Sequence, residues 1–245
     1  MKLILTSIVV FFAQIVLGQL PRQHELKANH IYLLIESSTS DRPGILSNET
    51  YSYFDTLGRI VKQINYIKNS ENDSTFTIYN YINNKLAYQK TINLKMNYTN
   101  ETTYIDSSNC IVKITTDKNN LTQNVRLVLM NNVYTRYVND TLRQKFQFKE
   151  TANKKVSYKT EFLNYMTSHS KIIEYLNEQN LVYLATVKTK RKRTKKSPYK
   201  NYPNKETLSI EKKFQYDERN FLIRKTDYHS ADKATVTTVY TYIKR

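Results

Sequence analysis

The chain of 245 residues contains three glycines, four prolines, one cysteine and no tryptophan. Glycines at positions 18, 44 and 58 are too few and too scattered for a GxGxxG or GxxxxGK[ST] phosphate cradle, which excludes Rossmann and P-loop chemistry. A single cysteine permits no internal disulfide and no cysteine-based zinc site. Cys110 sits in the apolar stretch Asn109-Cys110-Ile111-Val112 and reads as a small buried hydrophobe on a strand. His24, His30, His169 and His229 show no HExxH or HxxxH spacing, so no metal or other cofactor is expected. Acids are also scarce, 21 against 38 Lys+Arg, for a formal net charge of +17.

What is present begins with an N-terminal leader. Lys2 precedes an apolar run from Leu3 to Leu17, and a polar stretch starts at Gln19. This is the form of a secretory signal peptide over residues 1–18, cleaved between Gly18 and Gln19. The run of about 15 apolar residues falls short of the roughly 20 that span a bilayer. No later segment is apolar enough to cross as a helix, so the mature chain, 19–245, is expected to lack a transmembrane helix. Export without paired cysteines points to a Gram-negative bacterial setting: periplasm, outer surface or extracellular space.

Alternation of period two runs through the mature chain. Leu142, Gln144, Phe146 and Phe148 fall on one face, with Arg143, Lys145, Gln147 and Lys149 on the other. The segment Thr235-Val236-Thr237-Thr238-Val239-Tyr240-Thr241-Tyr242-Ile243 is almost wholly β-branched and aromatic, as a half-buried strand requires. About a dozen strands at hairpin spacing predict a single all-β domain, an antiparallel meander of stacked hairpins forming a large twisted or partly rolled sheet. Only a piece from Tyr165 to Leu176 reads as a short helix. Hairpin turns need positive φ, and with so little glycine the tolerant substitute is asparagine. Asn83-Asn84, Asn119-Asn120, Asn131-Asn132 and Asn180 stand where turns are expected.

Four turns carry a weak internal repeat. Tyr53, Asp55, Gly58 and Ile60 have the same spacing as Tyr175, Asn177, Asn180 and Val182. Tyr216, Asp217, Asn220 and Leu222 form a tighter copy, Tyr81, Asn84 and Leu86 a shorter one, and Tyr240 and Tyr242 open another. The pattern aromatic-x-aromatic-Asp-x-x-Gly-Arg-aliphatic, best in Phe54-Asp55-Thr56-Leu57-Gly58-Arg59-Ile60, resembles the YD repeat of the RHS family of bacterial surface and secreted proteins. The resemblance implies a β-scaffold without catalytic residues. Physically, the acid caps turn amides, the left-handed residue reverses the chain, and the aromatics pack across strands.

The charge is concentrated. Lys188, Lys190, Arg191, Lys192, Arg193, Lys195, Lys196, Lys200 and Lys205 occur in 18 residues without an acid, so a basic hairpin loop at 188–205 is predicted. Tyr199 and Tyr202 add stackable rings. Such an arm suits an anionic glycan or lipopolysaccharide; export makes intracellular nucleic acid an unsuitable partner. Ser168-His169-Ser170 and His229-Ser230 with Asp232 can be drawn as catalytic pairs, but strand neighbours point to opposite faces. The expectation is therefore a non-enzymatic exported β-scaffold, a cell-envelope or extracellular binding or structural protein, with an envelope protein as one candidate partner. Polyanion binding through the basic segment is the alternative, and hydrolysis of surface glycans the remaining one.

Overall fold

A computed structural model describes residues 23–43, 47–68, 74–95, 97–107, 110–116, 122–130, 133–194 and 205–245. The leader with Gly18 and Gln19, the Asn119-Asn120 and Asn131-Asn132 turns, and Lys195, Lys196, Tyr199, Lys200 and Tyr202 lie outside them. A short helix, α1 (Gln23–Ala28), is followed by strands alone: β1 (Ile31–Ser40), β2 (Asn48–Phe54), β3 (Ile60–Ile67), β4 (Ser74–Ile82) and β5 (Lys85–Asn93). Then come β6 (Tyr98–Ser107), β7 (Cys110–Thr116), β8 (Thr122–Met130), β9 (Val133–Val138), β10 (Thr141–Thr151) and β11 (Lys154–Phe162). The last are β12 (Met166–Leu176), β13 (Val182–Arg193), β14 (Lys205–Tyr216), β15 (Leu222–His229) and β16 (Ala234–Lys244).

The fold is the all-β antiparallel meander that the alternation predicts, with more strands than the sequence suggests. Each strand pairs with its neighbours in the chain, and β1 pairs with both β2 and β16, so the sheet rolls into a closed ring. Residues 166–176 are strand β12 and not a helix. Ser168 and Ser170 face the lumen on one parity while His169 faces out, a period-two arrangement that a helix would scramble.

Register fixes two environments. The lumen receives Thr50, Ser52, Thr77, Thr102, Val125, Phe146, Ser157, Ser168, Ala185, Phe214 and Tyr240, all buried. Its polar side chains bond across strands: Gln63 Nε2 donates to Ser52 Oγ (3.1 Å), Tyr104 OH to Gln89 Oε1 (2.8 Å), and the hydroxyls of Thr77 and Thr91 hydrogen-bond to each other (3.2 Å). Buried polar groups are tolerated only when paired in this way. At one end an apolar cluster fills the barrel: Leu26 of α1 with Ile31, Leu34, Phe54, Leu176, Val182 and Leu222.

The turns at that end explain the repeat. After β2, β12 and β14 the same hydrogen bonds recur. Oδ1 of Asp55, Asn177 and Asp217 accepts from the N–H two residues on at 2.9, 3.1 and 3.0 Å. It also accepts from the N–H four residues on at 2.9, 2.8 and 2.8 Å. Gly58, Asn180 and Asn220 hold left-handed φ of 73°, 59° and 65°. Asn83 and Asn84 are both left-handed, the requirement of a two-residue type I′ hairpin, and Asn139 with Asp140 makes another. A recurrent strap ties neighbouring hairpins. The hydroxyls of Tyr81, Tyr216 and Tyr242 donate to the carbonyls of Ile60, Val182 and Leu222 at 2.9, 2.9 and 3.0 Å.

Only one of these turns uses glycine, and α1 is the reason. A Cβ on Gly58 would collide with the Gln23 carbonyl and crowd the Lys27 N–H. Gln23 Nε2 also donates to the Leu57 carbonyl (3.0 Å), seating the helix on the turn. Gly58→Ala is expected to destabilise by more than 2 kcal/mol, because left-handed strain of about 1–2 kcal/mol is joined by the helix collision. Asn220→Ala carries the strain alone and is expected to lose about 1 kcal/mol. Urea unfolding of the two variants checks this; equal losses would mean that the helix does not dock on the turn.

Candidate functional site

The basic stretch is not a free loop throughout. Lys188 to Arg193 continue β13 and pair with β14, Lys190 opposite Thr207, Arg191 opposite Glu206 and Lys192 opposite Lys205. Consecutive positive charges suggested a solvated loop, but a strand separates them by face. Val187 and Thr189 supply β-branched residues, and Arg191 gains Glu206 at 3.3 Å across the pair. The lysines at 188, 190 and 192 point outward and are exposed. Arg191 and Arg193 turn to the lumen side. The segment is thus two cationic surfaces made from one run of sequence.

On the outer wall, register lines up like charges. Lys171 of β12 lies directly opposite Lys188, and Lys192 lies opposite Lys205. Like charges placed directly across a sheet repel. Among the described residues no carboxylate forms an ion pair with Lys188, Lys190, Lys192 or Lys205. The nearby acid Glu211 is held by Lys213 at 3.4 Å. Ser209 and Thr207, opposite Lys188 and Lys190, provide hydroxyls beside the ammonium groups. Tyr158 receives the Lys171 ammonium over its ring at 5.9 Å. The strip therefore offers a line of ammonium groups and hydroxyl donors along one outer face.

Other sequence candidates are dispersed. Asp55, Gly58, Asn84, Asn177, Asn180, Asp217 and Asn220 all lie at the helix end, in turns. There Asp55 is bound by Arg59 at 2.7 Å, and Arg59 also donates to Asn84 Oδ1 at 2.9 Å. His169 contacts Thr160 (3.1 Å), Ser230 donates to the Ser209 carbonyl, and Asp232 pairs with Arg42 at 2.6 Å, so the drawn Ser/His/Asp groups are bonded elsewhere. Tyr79, Tyr81 and Tyr104 face the lumen, where burial pushes each hydroxyl up to about 12, whereas Tyr66, Tyr158 and Tyr228 stand exposed outside. Comparison with models of known protein families, with curated proteins and with solved structures finds no match.

The lumen also encloses ionisable groups that the sequence did not single out. Asp227 Oδ2 takes Lys212 at 2.9 Å and Lys225 at 3.6 Å, while its Oδ1 is buried without a hydrogen-bond partner among the described residues. Glu36 lies across from Tyr240, and burial pushes its carboxyl up to about 7 against the opposing pull of Lys225. A raised carboxyl holds its proton in the folded chain after the unfolded chain has lost it. Stability from this group is therefore full below about pH 4 and declines as pH rises towards 7. Glu36→Gln, which mimics the protonated form, is expected to match the parent at pH 4 and exceed it by up to about 3 kcal/mol at pH 8. Urea unfolding at both pH values checks it; an equal difference at both would contradict the titration.

Proposed function

We propose that this chain is a non-enzymatic, exported β-scaffold of RHS/YD-like type that binds anionic glycan or lipopolysaccharide along the outer lysine strip of β12–β14. The observation that carries the reading is the pairing of Lys171 with Lys188 and Lys192 with Lys205. A folded surface that holds unpaired ammonium groups opposite one another is stabilised by a partner that supplies negative charge along the same line.

The recurrent capped turn supports the repeat-scaffold part of the proposal, and the leader supports export. Among the described residues no helix is long and apolar enough to cross a membrane. The outer wall itself carries exposed lysines in mid-strand, Lys145, Lys171 and Lys188. On a lipid-facing wall a lysine costs about 2–4 kcal/mol at the bilayer midplane. A hydrated site fits better: periplasm, outer surface or extracellular space, beside anionic envelope polymers and envelope proteins.

Because residues 188–193 are part of the wall, the decisive variants change charge and keep the strand. Lys188→Gln/Lys190→Gln/Lys192→Gln is expected to elute from immobilised heparin, and from lipopolysaccharide, at clearly lower salt than the parent. The affinity should also fall less steeply with salt, since fewer counterions are released. Unchanged retention of the triple variant would refute the strip as the binding surface.

A further inference from the structure

The end of the barrel opposite α1 contains a cavity of about 800 Å³ between β8 and β14. That volume lies within the range of small-molecule sites, about 300–1,000 Å³. Four guanidinium groups line it: Arg136, Arg143, Arg191 and Arg193. Two come from the basic run of β13, turned inward by strand alternation. Arg136 comes from β9, in the lumen-facing register opposite Gln144. Arg143 arrives by a different device. A bulge between Leu142 and Gln144 places Leu142 opposite Tyr137, leaving Arg143 at the cavity instead of on the outer face that strict alternation predicts.

Two of these cations, Arg136 and Arg143, have no anionic partner among the described residues. Of the two lining acids, Glu206 pairs with Arg191 at 3.3 Å and Glu161 with Lys159 at 2.8 Å. Among the described residues Arg143 Nη1 reaches only a neutral acceptor, Asn164 Oδ1, at 2.7 Å. Arg136 is half-buried, and no hydrogen bond or ion pair to its guanidinium is found among the described residues. A half-buried guanidinium without an anion is a costly arrangement unless a ligand completes it. The rest of the lining is mixed: Val138, Phe162, Leu163 and Met166 form an apolar part beside the polar Gln123, Gln144, Asn164 and Tyr165. Arg191, whose side chain is 42% exposed, keeps the cavity in contact with solvent.

We propose that this cavity is a binding site for a small anionic amphiphile, its carboxylate or phosphate head held by Arg136 and Arg143 and its apolar body against Phe162, Leu163 and Met166. Forked guanidinium donors match both head groups, and the apolar wall rewards a hydrocarbon that an inorganic ion lacks. The site faces the lumen, whereas the lysine strip faces out, so the two can be tested apart.

Calorimetric titration of the full mature chain with decanoate and decyl phosphate, against inorganic phosphate and decanol, is the direct test. One-to-one saturable binding of an anionic amphiphile is expected, and whichever of the two binds tighter identifies the head group. Arg136→Gln and Arg143→Gln are each expected to weaken it about tenfold or more, the scale of a lost charged hydrogen bond. Arg143 lies in a bulge and, among the described residues, its side chain bonds to Asn164 alone, so R143Q carries the test if R136Q disturbs β9. The outer triple lysine variant is expected to bind as the parent does. Decanol bound as tightly as decanoate, inorganic phosphate bound as tightly as decyl phosphate, or parental binding by folded arginine variants would each overturn the site. Loss of binding in the outer variant would overturn its placement in the lumen.

Discussion

The pairing of β1 with β16 is the interaction on which the rest depends. It runs without interruption from Leu33↔Ile243 to Ser40↔Val236. Both ends are secured beyond the ladder. The Arg245 N–H donates to the His30 carbonyl and its guanidinium to the Phe54 carbonyl at one end, while Asp41 exchanges hydrogen bonds with Thr235 at the other. Without this seam the meander would have two edge strands able to recruit other chains. It would also have no inside, and the polar residues now bonded across the lumen would face water on an open sheet.

Closure gives the two ends different characters. One receives α1, the apolar cluster and the Asx-capped turns, and it is tied circumferentially by the tyrosine straps. The other holds the arginine-lined cavity. Asparagine makes this economical arrangement possible in a chain with three glycines. It takes left-handed φ at Asn83, Asn84, Asn139, Asn180 and Asn220, at a smaller steric penalty than most residues would meet. Gly58 is reserved for the position where a helix backbone passes too close for any Cβ.

Strand alternation made the fold class legible, and the Asp/Asn-x-x-Gly/Asn spacing made the capped turns legible down to their residues. Three features were hidden for physical reasons. The Tyr165–Leu176 stretch contains residues compatible with either period, and pairing with β11 and β13 decided it. The basic run was read by its charge, although Lys-Thr-Lys-Arg-Lys-Arg alternates perfectly well once a partner strand receives one face. The cavity was invisible because its arginines come from the β9–β10 hairpin and from the distant β13, one of them through a bulge that no local pattern announces. Closure itself is a contact between the first and last strands, 200 residues apart at Ser38 and Thr238, and no local rule reaches that far.

That same contact offers the most direct test of the whole account. Ser38 and Thr238 lie opposite one another, with their hydroxyl oxygens 2.8 Å apart. Directly opposed positions on antiparallel strands lie within the Cα separation a disulfide can bridge. In a Cys110→Ser background, Ser38→Cys/Thr238→Cys should oxidise to an intramolecular disulfide in the folded monomer. Because the bridge closes a loop of about 200 residues, it should also raise stability by several kcal/mol. Two free thiols in the folded, oxidised protein, or bridges formed only between chains, would contradict a closed barrel and everything built on its inside and outside.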